Sequence, residues 1–336
     1  MNTFGTLFRL TDFGESHGAA IGGVVDGMPS GVEVDFEAID AFLTRRRPGG
    51  KLVSPRNEAD KVRFLSGIFE GRTLGTPIAF IIENTDQRSK DYGALRNTYR
   101  PNHADYTYDA KYGIRDYRGG GRASARETAV RVVGGALALQ VLRAYGISVE
   151  AYPLQIGSVE IHDPSGMAAA EEAILSARAE RDTLGGIVGC SIKGVPAGVG
   201  EPVFGKLQAM LAAAMMSINA AKGFDYGDGF AAAGMRGSES VDTFYAEEGR
   251  VRTRSNHSGG IQGGISNGED ITFRVAFKPI ATMPRPLATV TDTLENTELT
   301  VGGRHDVCVV PRAVPVVEAM AAMTILDALM IAGKLK

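Results

Sequence analysis

The sequence predicts an α/β chain of the α+β kind, on three observations. Short stretches rich in β-branched residues and bounded by glycine or proline read as strands. Between them lie longer segments whose apolar residues recur at helical spacing. No repeat of fixed period and no low-complexity linker divides the 336 residues, so a single domain over 1–336 is expected.

In chain order, strands are expected over 4–10 and 20–27, a helix over 35–45 and a strand over 77–83. The helix over 124–145 has the strongest start signal. Ser124-Ala125-Arg126-Glu127 fits a capping box, in which the serine oxygen and the glutamate each satisfy an end amide. A strand over 147–151, a helix over 168–182, a strand over 186–193 and a helix over 202–216 follow. A strand over 270–277 precedes the last helix, 315–332, with Pro315 near its first turn and Gly333 just beyond its end. The most apolar stretch, 313–332, carries Glu318 and Asp327 and so reads as a buried helix rather than a membrane span.

Composition removes several classes of function. Hydrophobic residues at 44% and charged residues at 22% are those of an ordinary globular chain, which excludes intrinsic disorder. The first eighteen residues have no apolar h-region and are broken by Arg9, Asp12 and Glu15, so they are not a signal peptide. The two cysteines, Cys190 and Cys308, are far apart and in no CxxC pair, which fits a reduced, cytoplasmic chain. No phosphate loop of the GxxxxGK[ST] type, no Rossmann GxGxxG after a strand and no GxSxG elbow occurs. Glycine is the surplus: 43 of 336, about 13% against roughly 7% in average proteins. That implies many tight turns and close approaches of backbone to a ligand.

A net charge of −3 disfavours a general nucleic-acid binder, yet positive charge is concentrated locally. Arg45-Arg46-Arg47-Pro48-Gly49-Gly50-Lys51 has four cations and no acid, and residues 99–131 hold seven cations against four acids. Guanidinium forks pair bidentately with carboxylate and phosphate, so a site for a compact polyanion is expected. For Arg45–Arg47 the plainer alternative is a solvated helix C-terminus. Gly119-Gly120-Gly121-Arg122 runs directly into the capped start at Ser124, where bare amides, a helix end and a guanidinium would converge on an anion. Tyr99, Tyr106, Tyr108, Tyr112 and Tyr117 lie in the same segment. They suit stacking on nucleic-acid bases or the wall of a pocket for a flat cofactor, and the acidic balance favours the pocket.

Of five histidines, two have suggestive company: His17 in Phe13-Gly14-Glu15-Ser16-His17-Gly18, and His103 in Arg100-Pro101-Asn102-His103-Ala104-Asp105. An imidazole there can give or take a proton near neutral pH. His162, His257 and His305 have no HxxxH or HxH spacing, so no metal site is expected.

These stretches resemble the chorismate synthase family. The resemblance rests on the segments around His17 and His103, Arg45-Arg46-Arg47-Pro48-Gly49, and Glu83-Asn84-Thr85-Asp86. Asp116-Tyr117-Arg118-Gly119-Gly120-Gly121-Arg122, Ser217-Ile218-Asn219-Ala220, Lys278-Pro279 and Gly303-Arg304-His305-Asp306 complete it. It runs in order from residue 5 to about residue 330.

The resemblance implies a βαβ sandwich with helices layered between sheets, assembled as a homotetramer. It implies a lyase that converts 5-enolpyruvylshikimate 3-phosphate to chorismate and phosphate, the last step of the shikimate pathway. That reaction is an anti 1,4-elimination requiring reduced FMN with no net redox change; NADPH is the candidate reductant, through a separate flavin reductase. By the same resemblance His17 is the proton donor to the departing phosphate. His103 protonates the flavin or stabilises its reduced form, Asp306 takes the flavin N5 proton, and Ser16 and Ser124 support this proton traffic. Flavin contacts carry over to Arg122, Ala123, Ser124, Asn219, Ala220, Gly263, Lys278, Pro279, Ile280, Ala281, Thr282 and Arg304. Arg46 is expected to bind substrate anions or reduced nicotinamide nucleotide.

The chain departs from the family pattern in four places. Ala123 stands where a serine is usual, Lys51-Leu52 where a further arginine is usual, Asn102 for a glycine and Val307 for a proline. Two other functions fit a pocket for anions: a flavin oxidoreductase with net hydride transfer, and a non-enzymatic binder of RNA or anionic metabolites. No membrane partner is expected.

Overall fold

The structure is a computed structural model describing residues 1–47, 60–85, 93, 95–302 and 306–335. Its first half runs β1 (Thr3–Phe4), β2 (Arg9–Phe13), β3 (Ala20–Asp26), α1 (Phe36–Arg46) and β4 (Val62–Phe64). A small hairpin, β5 (Ile68–Phe69) and β6 (Arg72–Thr73), leads to β7 (Ile78–Glu83), α2 (Asp105–Tyr112) and α3 (Thr128–Ala144). Next come β8 (Ser148–Ile156), β9 (Val159–Glu160), α4 (Pro164–Ala179), β10 (Gly186–Lys193), α5 (Leu207–Met216) and β11 (Ala221–Tyr226). The chain ends with β12 (Phe244–Glu247), β13 (Arg250–Thr253), β14 (Ile261–Gln262), β15 (Ile265–Ser266), β16 (Ile271–Phe277), β17 (Leu287–Val290), β18 (Asn296–Leu299) and α6 (Val310–Ile331).

Two five-stranded sheets organise these elements, ordered β1-β2-β3-β7-β4 and β11-β16-β10-β8-β9, with every pairing antiparallel. Helix α3 packs on β2 and β3 of the first sheet and on β8 of the second, while α6 packs on α3, α1, β8 and β10. The helices therefore fill the space between the sheets, as the resemblance implies. One continuous buried cluster extends from Phe8 through Leu137, Val188 and Val275 to Leu329. Helix α6 is long and apolar enough to span a bilayer, but 83% of its apolar window is buried within the protein, and it is the core helix the sequence indicates.

Several boundaries differ from expectation, for local reasons. The strand expected over 4–10 is broken at Gly5, whose φ is 86°. A Cβ there would lie 1.9 Å from the Phe8 carbonyl oxygen, and the N–H groups of Thr6, Leu7 and Phe8 turn to the Asp327 carboxylate at 2.9, 2.7 and 3.0 Å. Strand β8 runs on to Ile156 because Pro153 sits at a bulge, where its missing N–H breaks no ladder. Helix α4 starts at Pro164, capped by Asp163, whose side chain accepts from Ser165 and Gly166 N–H. Helix α6 begins at Val310 with Pro311 in its first turn, so Pro315 lies inside the helix rather than near its start.

The largest correction is at Ser124. Its oxygen accepts from Arg126 N–H and caps a single 3₁₀ turn over Ala125–Glu127; α3 begins only at Thr128. Glu127 does not close a capping box, because its carboxylate is drawn sideways to Arg131 Nε at 2.9 Å.

Candidate active site

The site is built on the loop before α3. Gly119 and Gly120 have φ of 66° and 107°, a region open mainly to glycine. A Cβ on Gly119 would lie 2.1 Å from His17 Cε1 and 2.3 Å from His17 Nδ1. One on Gly120 would lie 3.0 Å from His103 Cε1 and 3.2 Å from His103 Nε2. Consecutive bare residues thus let the backbone pass against both imidazoles, which the chain order keeps far apart.

Each imidazole is oriented by a neighbour. His17 is buried, and its Nδ1 lies 3.1 Å from Ser16 Oγ. His103 Nδ1 lies 3.1 Å from Asp105 Oδ1, which also accepts from Arg100 Nη2 at 2.7 Å. Burial alone would raise the Asp105 pKa, but the hydrogen bonds of Arg100 and His103 outweigh it and hold the carboxyl well below its ordinary value. Asp105 therefore stays ionised and fixes a proton on His103 Nδ1, leaving Nε2 toward Gly120.

The same loop continues into a small cavity. Asn219 Nδ2 donates to the Ala123 carbonyl at 3.2 Å, while its buried Oδ1 has no hydrogen-bond partner among the described residues. Asn219 shares the cavity lining with Ala125, Thr128, Asp306 and Arg312, and Arg312 Nη1 donates to the Asp306 carboxylate. Next to Asn219, Ala220 has a φ of 66° and its carbonyl accepts from Lys278 N–H at 3.0 Å. Lys278 Nζ reaches the Asn102 carbonyl at 2.8 Å, tying this strand end to the His103 loop. Burial, with Lys222 adding repulsion, lowers the Lys278 pKa. Ile280 accepts from Thr183 Oγ1 at 2.9 Å, Pro279 packs on Gly185 and Thr282 is buried. Among the described residues, nothing lies within 4 Å of where a Gly263 Cβ would stand. Arg304 falls outside the described residues.

Ser16, His17, His103, Ala123, Ser124, Asn219, Ala220, Lys278 and Asp306 are thus linked through one loop and its cavity. Arg46 is not presented there. It is 1% exposed, with Nη1 on Asp60 at 3.0 Å, Nε on Thr128 Oγ1 at 3.1 Å and Nη2 on the Ala125 carbonyl at 2.9 Å. Arg126 holds the other oxygen of Asp60. Burial would raise that carboxyl's pKa, yet the Arg46 and Arg126 charges beside it lower it.

The positive charge concentrated in these segments is met by acids that the fold brings to it. Arg45 pairs with Glu318, Arg100 with Asp105, Arg115 with Asp109, Arg118 with Asp116, Arg122 with Asp12 and Arg131 with Glu127. Nor do the tyrosines form one wall. Tyr99 meets Tyr106 edge-on, Tyr108 meets Tyr112 likewise, and Tyr117 packs against a separate cluster of Leu95, Leu299 and Val301.

Sequence reasoning missed Asp12, Glu127, Asp60 and Arg312. A signal existed for Asp12: it falls in phase with Leu10 on an alternating strand, hence on the buried face. Among the described residues, no three His, Cys, Asp or Glu side chains are grouped to hold a metal. The Cys190 and Cys308 thiols are buried, and burial raises both pKa values, that of Cys308 to about 11.

A profile of the chorismate synthase family matches residues 8–330. A chorismate synthase of Bacteroides thetaiotaomicron is 56% identical over 346 residues, covering 97% of this chain and 97% of that protein. The Porphyromonas gingivalis enzyme of the same name is 57% identical over 350 residues, covering 98% of this chain and 95% of that protein. A crystal structure of chorismate synthase superposes with a TM-score of 0.78 at 30% identity, over 98% of this chain and 93% of that one. With this coverage, and a fold whose helices separate two antiparallel sheets, the chain belongs to the chorismate synthase family.

Proposed function

We propose that this lyase eliminates phosphate from 5-enolpyruvylshikimate 3-phosphate by anti 1,4-elimination, giving chorismate, and that it requires reduced FMN. One observation carries the reading: His17 and His103 lie against consecutive glycines of a loop that leads into the cavity holding Asn219 and Asp306.

Two features of the chain suit a flat anionic flavin. The buried Asn219 Oδ1, without a partner among the described residues, is an acceptor whose donor a flavin ring N–H can supply. The Gly119–Gly120 backbone offers approach without side chains. Lys278 and Arg122 bring positive charge nearby. The chemistry supplied by reduced FMN, when bound, is transient electron donation and acceptance of the substrate hydrogen, with no net oxidation.

The chain's own groups do the rest. His17, steadied by Ser16, gives a proton to the departing phosphate, which lowers the barrier by neutralising a developing anion. His103 holds its Nδ1 proton toward Asp105 and keeps Nε2 toward the glycine loop, ready to exchange a proton there. Asp306, held by Arg312, serves as the proton acceptor at the cavity. Ser124 holds the Arg126 N–H and so fixes the loop's entry into α3.

The chain is read as one catalytic domain acting in the cytoplasm, where its two buried thiols stay reduced. Assembly as a homotetramer belongs to the same reading. A separate reductase, drawing on NADPH, is read as the source of reduced flavin. The test is an anaerobic assay of phosphate release with reduced FMN and the enolpyruvyl substrate. Many turnovers per flavin are expected; stoichiometric conversion to oxidised flavin would make the protein an oxidoreductase instead.

A further inference from the structure

Asn84 stands just beyond the end of β7, and both polar atoms of its side chain are committed. Its Nδ2 donates to two carbonyl oxygens, that of Glu15 at 3.1 Å and that of Gly18 at 2.9 Å. Its Oδ1 accepts from Arg126 Nε at 2.9 Å. The backbone follows the same course: Asn84 N–H donates to the Ala19 carbonyl at 3.1 Å, carrying on the β3–β7 pairing. The amide can sit only this way round. Turned over, its oxygen would face two carbonyl oxygens and its NH₂ would face the Arg126 N–H.

The two carbonyls are the ends of one turn. Gly18 N–H donates to the Glu15 carbonyl at 3.0 Å, which closes a turn with Ser16 and His17 at its centre. Asn84 therefore grips the first and last residues of the turn that carries the imidazole. On its other side, Arg126 is 4% exposed, with a second nitrogen on Asp60 and a third on the Glu83 carbonyl at 3.3 Å. Arg126 lies in the 3₁₀ turn that follows the glycine loop. One carboxamide thus connects the turn holding His17 to the turn that fixes Gly119 and Gly120.

That connection bears on chemistry because the two parts meet at close range. A Cβ on Gly119 would lie 2.1 Å from His17 Cε1, so the imidazole rests on the loop backbone itself. Ser16 Oγ belongs to the same turn as His17 and moves with it, so it orients the ring without fixing where the turn stands. We propose that Asn84 is a positioning residue for the elimination. Its two N–H donors set the place of the Glu15–Gly18 turn, and with it the distance and angle at which His17 faces the bound substrate. The inference rests on the reading of His17 as the proton donor. Asn84 itself carries no proton in the reaction. Proton transfer tolerates little misplacement, and an error of about 1 Å can cost about 10²-fold in rate.

The test is a double-mutant cycle on anaerobic phosphate release from 5-enolpyruvylshikimate 3-phosphate with reduced FMN. Asn84→Asp keeps the size of the side chain and an oxygen for Arg126, but it sets an oxygen against the Glu15 and Gly18 carbonyls where the donors were. It should lower kcat by about tenfold to 10²-fold, while KM and FMN affinity stay within about twofold. In the His17→Ala background the same substitution should have almost no further effect, since the group it positions is gone. Asn84→Ala takes its place in the cycle should the aspartate variant fold poorly. Loss of kcat by the same factor in both backgrounds would make the role of Asn84 merely structural and overturn the inference. An unchanged kcat in the Asn84 variant would overturn it too, and in either case the reading of His17 would stand. Undiminished turnover by His17→Ala would remove that reading and the inference with it.

Discussion

Adding one methyl group at Gly135 should move two core helices apart. Gly135 lies on the face of α3 that meets α6, and a Cβ there would sit 2.3 Å from Ala319 Cβ, 2.4 Å from Ala319 Cα and 2.9 Å from the Ala319 carbonyl oxygen. Carbon atoms rest about 3.5–4.0 Å apart, so Gly135→Ala requires the helices to part by more than about 1 Å. The obstruction is largely backbone and cannot swing aside. Overpacking of this sort costs about 1–3 kcal/mol, and the parting also weakens packing along α6, where most residues are buried. Replacing glycine by alanine in a helix returns about 0.5–1 kcal/mol. The adjacent Gly134 is the control, because its Cβ would first meet the Met323 sulfur at 3.0 Å and the two Leu10 methyls at 3.1 and 3.6 Å, all side-chain atoms rather than backbone. Gly134→Ala should then be near neutral, and Gly135→Ala should be less stable than it by about 2 kcal/mol. Paired urea-unfolding curves at one temperature measure the difference. Equal midpoints for the two variants would refute the claim that α3 and α6 touch through their backbones at this point.

Other perturbations address the site and its supports. His17→Ala should cut turnover by about 10²–10⁴-fold while leaving flavin affinity nearly intact, measured by steady-state phosphate release and by FMN titration; undiminished turnover removes His17 from the proton chemistry. Asp327→Ala strands three backbone N–H groups at Thr6, Leu7 and Phe8 and should cost about 3–5 kcal/mol in urea unfolding, whereas Asp327→Asn, which keeps one acceptor, should cost less. The two displaced carboxyls predict opposite pH dependences. Asp105 is held below its unfolded value, so its contribution is present above about pH 4 and is lost as the solution is acidified; Asp105→Asn should flatten the acid limb of a stability–pH curve. Asp12 is raised, so its carboxyl costs stability as pH climbs from about 4 toward 7; Asp12→Asn should compare more favourably with wild type at pH 8 than at pH 5.

The architecture was legible where a rule acts locally. The strands at 20–27, 186–193 and 270–277 were readable because β-branched runs end at glycines and charges, and the observed elements begin and end within a residue of them. What failed was any rule that needed a distant partner. The N-terminal strand breaks because Asp327, at the other end of the chain, collects three of its N–H groups. The capping box at Ser124 fails because Glu127 has better company in Arg131.

The same reasoning applies to the arginines. Counting along the chain set seven cations against four acids, but a guanidinium is neutralised by whatever the fold brings to it. Arg122 finds Asp12, and Arg46 and Arg126 find opposite oxygens of Asp60, with no sequence proximity to announce either match. Burying such pairs is costly unless every donor is met, and here Thr128 and the Ala125 carbonyl complete Arg46. The consequence is structural precision rather than free charge: Arg46 and Arg126 anchor the Ala125–Thr128 turn, which carries the Gly119–Ser124 loop into α3. The histidines depend on that placement, because Gly119 and Gly120 can separate them only if the turn behind the loop is fixed. Most of the positive charge that drew attention to this segment thus acts at one remove, by holding the backbone on which the two imidazoles converge.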